Sequence, residues 1–204
     1  MTTAAFSLFF SLLALAALAG AAAVGVLAVG LRGERGDGLR YEVGRLGLPV
    51  AWVIAAVTTV GSLYYSKVVG FPPCELCWYQ RIAVYPLVVV LGTALVRRDA
   101  AGVRPYAIGP CLVGLPVSIY HSWIQWFPPD AGTSFCTLDA PCTAKYVFEL
   151  GFVTLPFMAG CAFVGIIAFL LATRWAFPPA SAVDDGYDDA DARSPEPLVP
   201  ETTS

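Results

Sequence analysis

Five stretches of this chain contain no Asp, Glu, Lys or Arg: residues 4–31, 48–66, 82–96, 105–129 and 150–173. A helix of about 20 apolar residues crosses a bilayer core, and about 17 is the practical minimum. Four of the runs reach that length directly, and 82–96 reaches it once Trp78 and Tyr79 serve as its interfacial start. In hydrocarbon every backbone N–H and C=O must be satisfied internally, which leaves helices for runs of this kind. The expected fold class is therefore an all-α integral membrane protein with five transmembrane helices. Composition agrees, because only 13% of the 204 residues are charged, against about 25% in a soluble domain.

The placement of Lys and Arg orients the spans. Arg32, Arg35, Arg40, Arg45, Arg97, Arg98, Arg104, Arg174 and Arg193 fall on one side, and Lys67, Arg81 and Lys145 on the other. Cytoplasmic segments carry the positive excess. Nine against three puts residues 32–47 and the C-terminus in the cytoplasm, and loops 67–81 and 127–149 outside a plasma membrane. The first run offers Ala-rich, cleavage-like sites. However, it lacks a positive leading segment, outruns a signal-peptide core and ends in a stop-transfer-like RGER at 32–35. Residues 1–31 are expected to remain as an extra N-terminal helix. The tail 174–204, rich in Pro and Asp, cannot bury enough apolar surface to offset ordering entropy and is expected to be disordered. No nucleic-acid motif is apparent.

Each external loop carries a cysteine pair. Cys74 and Cys77 lie in FPPCELCWYQR (71–81), and Cys136 and Cys142 in CTLDAPC (136–142). Pro72 and Pro73 cannot continue a preceding helix, so the chain turns there and the third helix starts near 74–78. Cys74, Cys77, Trp78 and Arg81 then share one face, at spacings i, i+3, i+4 and i+7. A helix N-terminus and a nearby guanidinium both favour thiolate over thiol. Thiolate is the species that attacks a disulfide or gives up electrons, so the pattern points to thiol–disulfide exchange.

Other chemistries use the same residues. The four cysteines could form structural disulfides, which persist outside the cytoplasm, or a Cys₄ zinc site, although five residues separate the second pair. A c-type haem site needs CxxCH, and Trp78 stands where the His would be. His121 is the sole histidine, about 9 Å of helix rise below Phe127, at a depth like that of Arg81. A lone His on an apolar helix is usually a packing residue, but the shared depth makes it a candidate for a small-molecule site. Cys111 and Cys161 lie at different depths within spans and read as small hydrophobes.

Several segments together resemble the membrane disulfide bond formation proteins of the DsbB/BdbC family. They are GSLYY (61–65), PCELCWYQRI (73–82), YPL (85–87), SIYHS (118–122), Pro141-Cys142 and GFVTLPF (151–157). The resemblance covers about residues 48–172, and the short second cysteine loop is closer to the BdbC type. It implies a four-helix transmembrane bundle over 48–173, plus the extra N-terminal helix. It also implies an enzyme that re-oxidises a DsbA-like thioredoxin-fold oxidase and passes electrons to a membrane quinone, menaquinone or ubiquinone, with no metal.

By that resemblance Cys74 and Cys77 are the quinone-facing pair. Cys77 is the thiolate that contacts quinone, with Arg81 and His121 lining its site. Cys136 takes the mixed disulfide with the partner, and Cys142 exchanges with Cys74. Vitamin K epoxide reductase-type enzymes place their CxxC after the loop cysteines, the reverse of the order here. The alternative outside this class is a non-enzymatic membrane protein whose loops hold structural disulfides or a metal.

Overall fold

A computed structural model of the chain describes residues 3–30, 34–128 and 140–177. Its helices are α1 (Thr3–Val29), α2 (Glu34–Leu63), α3 (Glu75–Arg97), α4 (Val103–Trp126) and α5 (Leu155–Ala172). A π-helical turn, Tyr64–Val68, extends α2, and a 3₁₀ turn, Thr173–Trp175, follows α5. All five helices are long and apolar enough to cross a membrane. No strand occurs among the described residues, only an isolated bridge between Glu149 and Val153. Cys136 and nearly all of the acidic tail lie outside the described residues.

Two helix boundaries differ from the sequence expectation. Residues 34–47, expected as a cytoplasmic loop, are the first turns of α2. No proline interrupts them before Pro49, and they carry i,i+3 ion pairs, Asp37–Arg40 at 3.5 Å and Glu42–Arg45 at 3.8 Å. Such exposed pairs contribute little alone; packing on α5 contributes more. The last helix begins at Leu155 rather than near 150, because Leu150 and Gly151 take positive φ (53° and 79°) in a tight turn. Pro156 therefore sits in the first turn of α5, where its missing N–H is not needed. It does not sit mid-helix, as Pro49, Pro86, Pro110 and Pro116 do in helices that run on through them.

Helix α2 packs beside α3 and α5, α4 packs beside the same two, and α1 lies against α5 and α2. The main apolar core runs through α2–α5 and includes Ala51, Ala55, Leu87, Leu91, Ala107, Phe163, Ile166 and Leu170. Several hydroxyls within the spans are satisfied locally. Thr58, Thr93 and Ser118 hydroxyls donate to the carbonyls four residues back, at 2.7, 2.7 and 3.1 Å. Buried Arg104 donates to Thr173 Oγ1 at 2.7 Å and to the Phe177 carbonyl, tying α4 to the end of α5.

At that same end, α2 and α5 touch backbone to backbone. A Cβ on Gly47 would stand 2.4 Å from the Phe169 carbonyl oxygen and 2.8 Å from Thr173 Cγ2, so only glycine permits the approach. Gly47→Ala should therefore destabilise the protein by about 1–3 kcal/mol, read as a lower Tm in detergent. Gly109→Ala, whose Cβ would meet nothing within 4 Å, should leave Tm unchanged.

Candidate redox site

The site is built at one end of α3. Gly70 adopts φ +83°, a conformation open to glycine, and the chain then runs without regular secondary structure through Pro72 and Pro73. Cys74 caps α3 with extended backbone (φ −73°, ψ 171°) and accepts a hydrogen bond from the Trp78 amide at 3.1 Å. Cys77 is one turn further on. The two sulfurs lie 3.1 Å apart in hydrogen-bond contact, about 1 Å beyond a disulfide bond.

Cys74 is buried in a small apolar cluster with Ile124 and Cys142. The Cys74 and Cys142 sulfurs and a His121 ring nitrogen all lie within 4.8 Å of one another. Helix α4 positions the second cysteine segment through three contacts. His121 Nε2 is 3.1 Å from the Cys142 carbonyl oxygen, Gln125 donates to the Ala144 carbonyl at 3.0 Å, and Lys145 Nζ sits 4.0 Å from the Trp126 ring centre. A carbonyl oxygen only accepts, so Nε2 carries the imidazole proton; it also lies 3.7 Å from Cys74 Sγ. Nδ1 then accepts from the Gln80 amide at 3.3 Å.

Cys142 is disulfide-bonded, so the Cys74–His121–Cys142 trio does not offer three free metal ligands. The hydrogen bond with the Cys77 thiol holds the Cys74 thiol far below its ordinary range, at about 4. A hydrogen bond from His121 acts in the same direction, and burial opposes both.

Cys77 belongs to a second environment. It lines a cavity of about 350 Å³ together with Gln80, Arg81, Ser62 and Tyr65 at the cysteine end. Beyond them the walls are mostly apolar side chains of α1, α2, α3 and α5, with Thr58 among them. Arg81 is half-buried; its guanidinium donates to the Ser62 carbonyl at 3.3 Å and lies 5.5 Å from the Trp78 ring centre. Tyr85 donates to Ser62 Oγ at 3.1 Å, joining α3 to α2 at the same level.

The structure thus brings Cys77 and Arg81 to one cavity, and Cys74, Cys142 and His121 to the other side of the pair. His121 does not line the cavity. Gln80 was missed by the sequence reading, although it touches both regions: it is buried, lines the cavity and hydrogen-bonds His121. Its signal was available, a neutral amide beside Arg81 in a helix that is otherwise mostly apolar. Cys111 and Cys161 are buried free thiols distant from both pairs in sequence and absent from the site.

Residues 44–175 match the model of the family described as "Disulfide bond formation protein DsbB". The chain is similar to Disulfide bond formation protein C of Bacillus subtilis (strain 168), with 42% identity over 123 residues, 60% of this chain and 88% of that protein. It is also similar to a probable disulfide formation protein of Oceanobacillus iheyensis, 42% identical over 127 residues (61% and 84%). A probable disulfide formation protein C of Halalkalibacterium halodurans is 42% identical over 125 residues (61% and 90%). No solved structure matches.

The depressed pKa of Cys74 gives a direct expectation. In reduced protein, thiolate absorbance near 240 nm should persist as pH falls from 8 and disappear only as pH passes below about 4. Cys74→Ala should abolish this step. Cys77→Ala, by removing the hydrogen bond, should move it toward the ordinary cysteine range of about 8.5.

Proposed function

This chain belongs to the disulfide bond formation protein DsbB family, and on that premise we propose that it is a membrane thiol:quinone oxidoreductase. It re-oxidises a DsbA-like thioredoxin-fold oxidase and passes two electrons to a membrane quinone, menaquinone or ubiquinone. One observation supports this reading most: Cys74 lies within 4.8 Å of Cys142 while its neighbour Cys77 lines the cavity. A dithiol so placed takes electrons at one sulfur and releases them at the other.

In this reading α2–α5 form the core bundle, the cysteine loops are extracytoplasmic and the C-terminus is cytoplasmic. The partner's thiolate attacks Cys136 and breaks its disulfide with Cys142. The partner's second thiol then displaces Cys136, so the partner leaves oxidised and Cys136 and Cys142 hold two thiols. Cys142 thiolate attacks Cys74 Sγ, breaking the Cys74–Cys77 bond and expelling Cys77 as thiolate. Cys136 then displaces Cys74, restoring the loop disulfide. Each exchange makes one S–S bond and breaks one, and the CxxC pair ends with two electrons and two protons. His121, through its Nε2–H, orients the Cys142 carbonyl and stabilises charge on the Cys74 sulfur. Gln80 holds the imidazole in that tautomer.

The cavity suits a quinone. Its volume falls within the range of about 300–1,000 Å³ for small-molecule sites, and its polar groups gather at the sulfur end. Arg81, Gln80 and Ser62 would hold the ring oxygens there. A bound quinone supplies the sink for the two electrons and two protons released when Cys74 and Cys77 re-form their bond. Such a sink is required, because DsbA-type oxidases sit at about −120 mV and a thioredoxin-like CxxC at about −270 mV. Electron flow from partner to CxxC would then be uphill by about 7 kcal/mol.

The test is quinone absorbance after addition of a reduced DsbA-like partner to the purified protein. Wild type should consume quinone, while Cys77→Ser and Cys136→Ser should not. Arg81→Ala should raise the KM for quinone by about tenfold, equivalent to about 1.4 kcal/mol, and Cys111→Ala should match wild type. No consumption by wild type with any quinone or partner would leave the loop cysteines as structural disulfides or metal ligands.

A further inference from the structure

Helix α1 lies outside the family match at 44–175, yet it supplies one wall of the cavity that Cys77 faces. Phe10, Leu13, Ala14 and Ala17 line it from a single helical face. The wall is fixed at both ends. At the cysteine end Tyr65 donates to Ser7 Oγ at 3.3 Å, and the Phe6 and Tyr64 rings stack at 4.4 Å. At the opposite end the Arg40 guanidinium donates to the Leu27 and Ala28 carbonyls, at 2.8 and 3.3 Å, satisfying groups that a helix C-terminus leaves open.

Between these anchors the surface of α1 is fitted to its neighbours through glycines. A Cβ on Gly61 would meet the Phe10 ring at 3.0 Å, one on Gly165 would meet Ala17 Cβ at 3.3 Å, and one on Gly20 would meet the Phe169 ring at 3.0 Å. The cavity is also elongated. On α5 its lining runs from Leu155 to Phe169, about 21 Å of helix rise, and away from the cysteine end that lining is apolar. A quinone ring held beside Cys77 and Arg81 would occupy only the upper part.

We propose that α1 is the wall that binds the prenyl tail, closing the cavity along α2 and α5 and selecting tailed quinones over tail-less rings. The inference rests on the quinone reading above. Equilibrium binding to the full-length protein in detergent tests it with two probes, menaquinone-4 (a naphthoquinone with four prenyl units) and menadione (the same ring without them). Wild type should bind menaquinone-4 tighter by about tenfold. Leu13→Trp, which fills the channel from the α1 side, should weaken menaquinone-4 binding about tenfold and leave menadione unchanged. Leu13→Ala, which adds no bulk and strips contact from the wall, should reduce the tail preference about threefold. An unchanged tail preference in both variants would overturn the role of α1 while leaving the quinone reading intact. Failure of wild type to bind either probe would instead remove the quinone reading itself.

Discussion

The 3.1 Å contact between the Cys74 and Cys77 sulfurs joins two regions of the protein with different chemistry. On one side lie a buried histidine and the second cysteine segment, held to α4 by hydrogen bonds. On the other lies an elongated cavity with an arginine at its rim. The contact exists because Pro72 and Pro73 stop the chain from entering α3 early, leaving Cys74 as its cap and Cys77 inside its first turn. If both cysteines lay inside the helix or both in the loop, they would face the same surroundings. Under the proposed function, membrane depth becomes a requirement, since a sulfur at the top of a span can face both a loop and a cavity between the helices.

Electrostatics reinforce the division. The donors around the pair converge on Cys74: the Cys77 thiol and the His121 imidazole, with Gln80 fixing the tautomer of the latter. A thiolate stabilised there is a good leaving group. The Arg81 guanidinium lies at the cavity, where most of its five donors remain beyond the one bonded to Ser62. The chain thus separates the residues that manage sulfur charge from those that can hold an oxygen-bearing acceptor.

Much of this was legible in the sequence. Charge-free runs marked all five spans, and the double proline followed by CxxC placed the start of α3 within residues 74–78, where Glu75 begins it. Depth could also be read, because each helical residue rises 1.5 Å, so His121 and Arg81 were placed at similar levels. Azimuth could not. Which way His121 faces depends on how α4 is rotated against α3, and no local pattern in a uniformly apolar helix fixes that rotation. The histidine therefore lies beside Cys74 rather than on the cavity with Arg81. The ends of α2 and α5 were misjudged for a related reason. Charge content marks where lipid ends, whereas a helix continues wherever its residues and packing allow, as at 34–47. Conversely, the turn at Leu150 and Gly151 stops an apolar run from being helical throughout.

The central claim is that the two CxxC sulfurs face different ways, Cys74 toward the second pair and Cys77 toward the cavity. The most direct measurement is disulfide mapping by mass spectrometry in variants that leave one cysteine in each pair. With Cys77→Ser and Cys136→Ser, mild oxidation should trap a Cys74–Cys142 bond in nearly all molecules. With Cys74→Ser and Cys136→Ser, Cys77 and Cys142 should remain unlinked. Equal trapping in the two variants, or trapping only through Cys77, would contradict the division of roles on which the account rests.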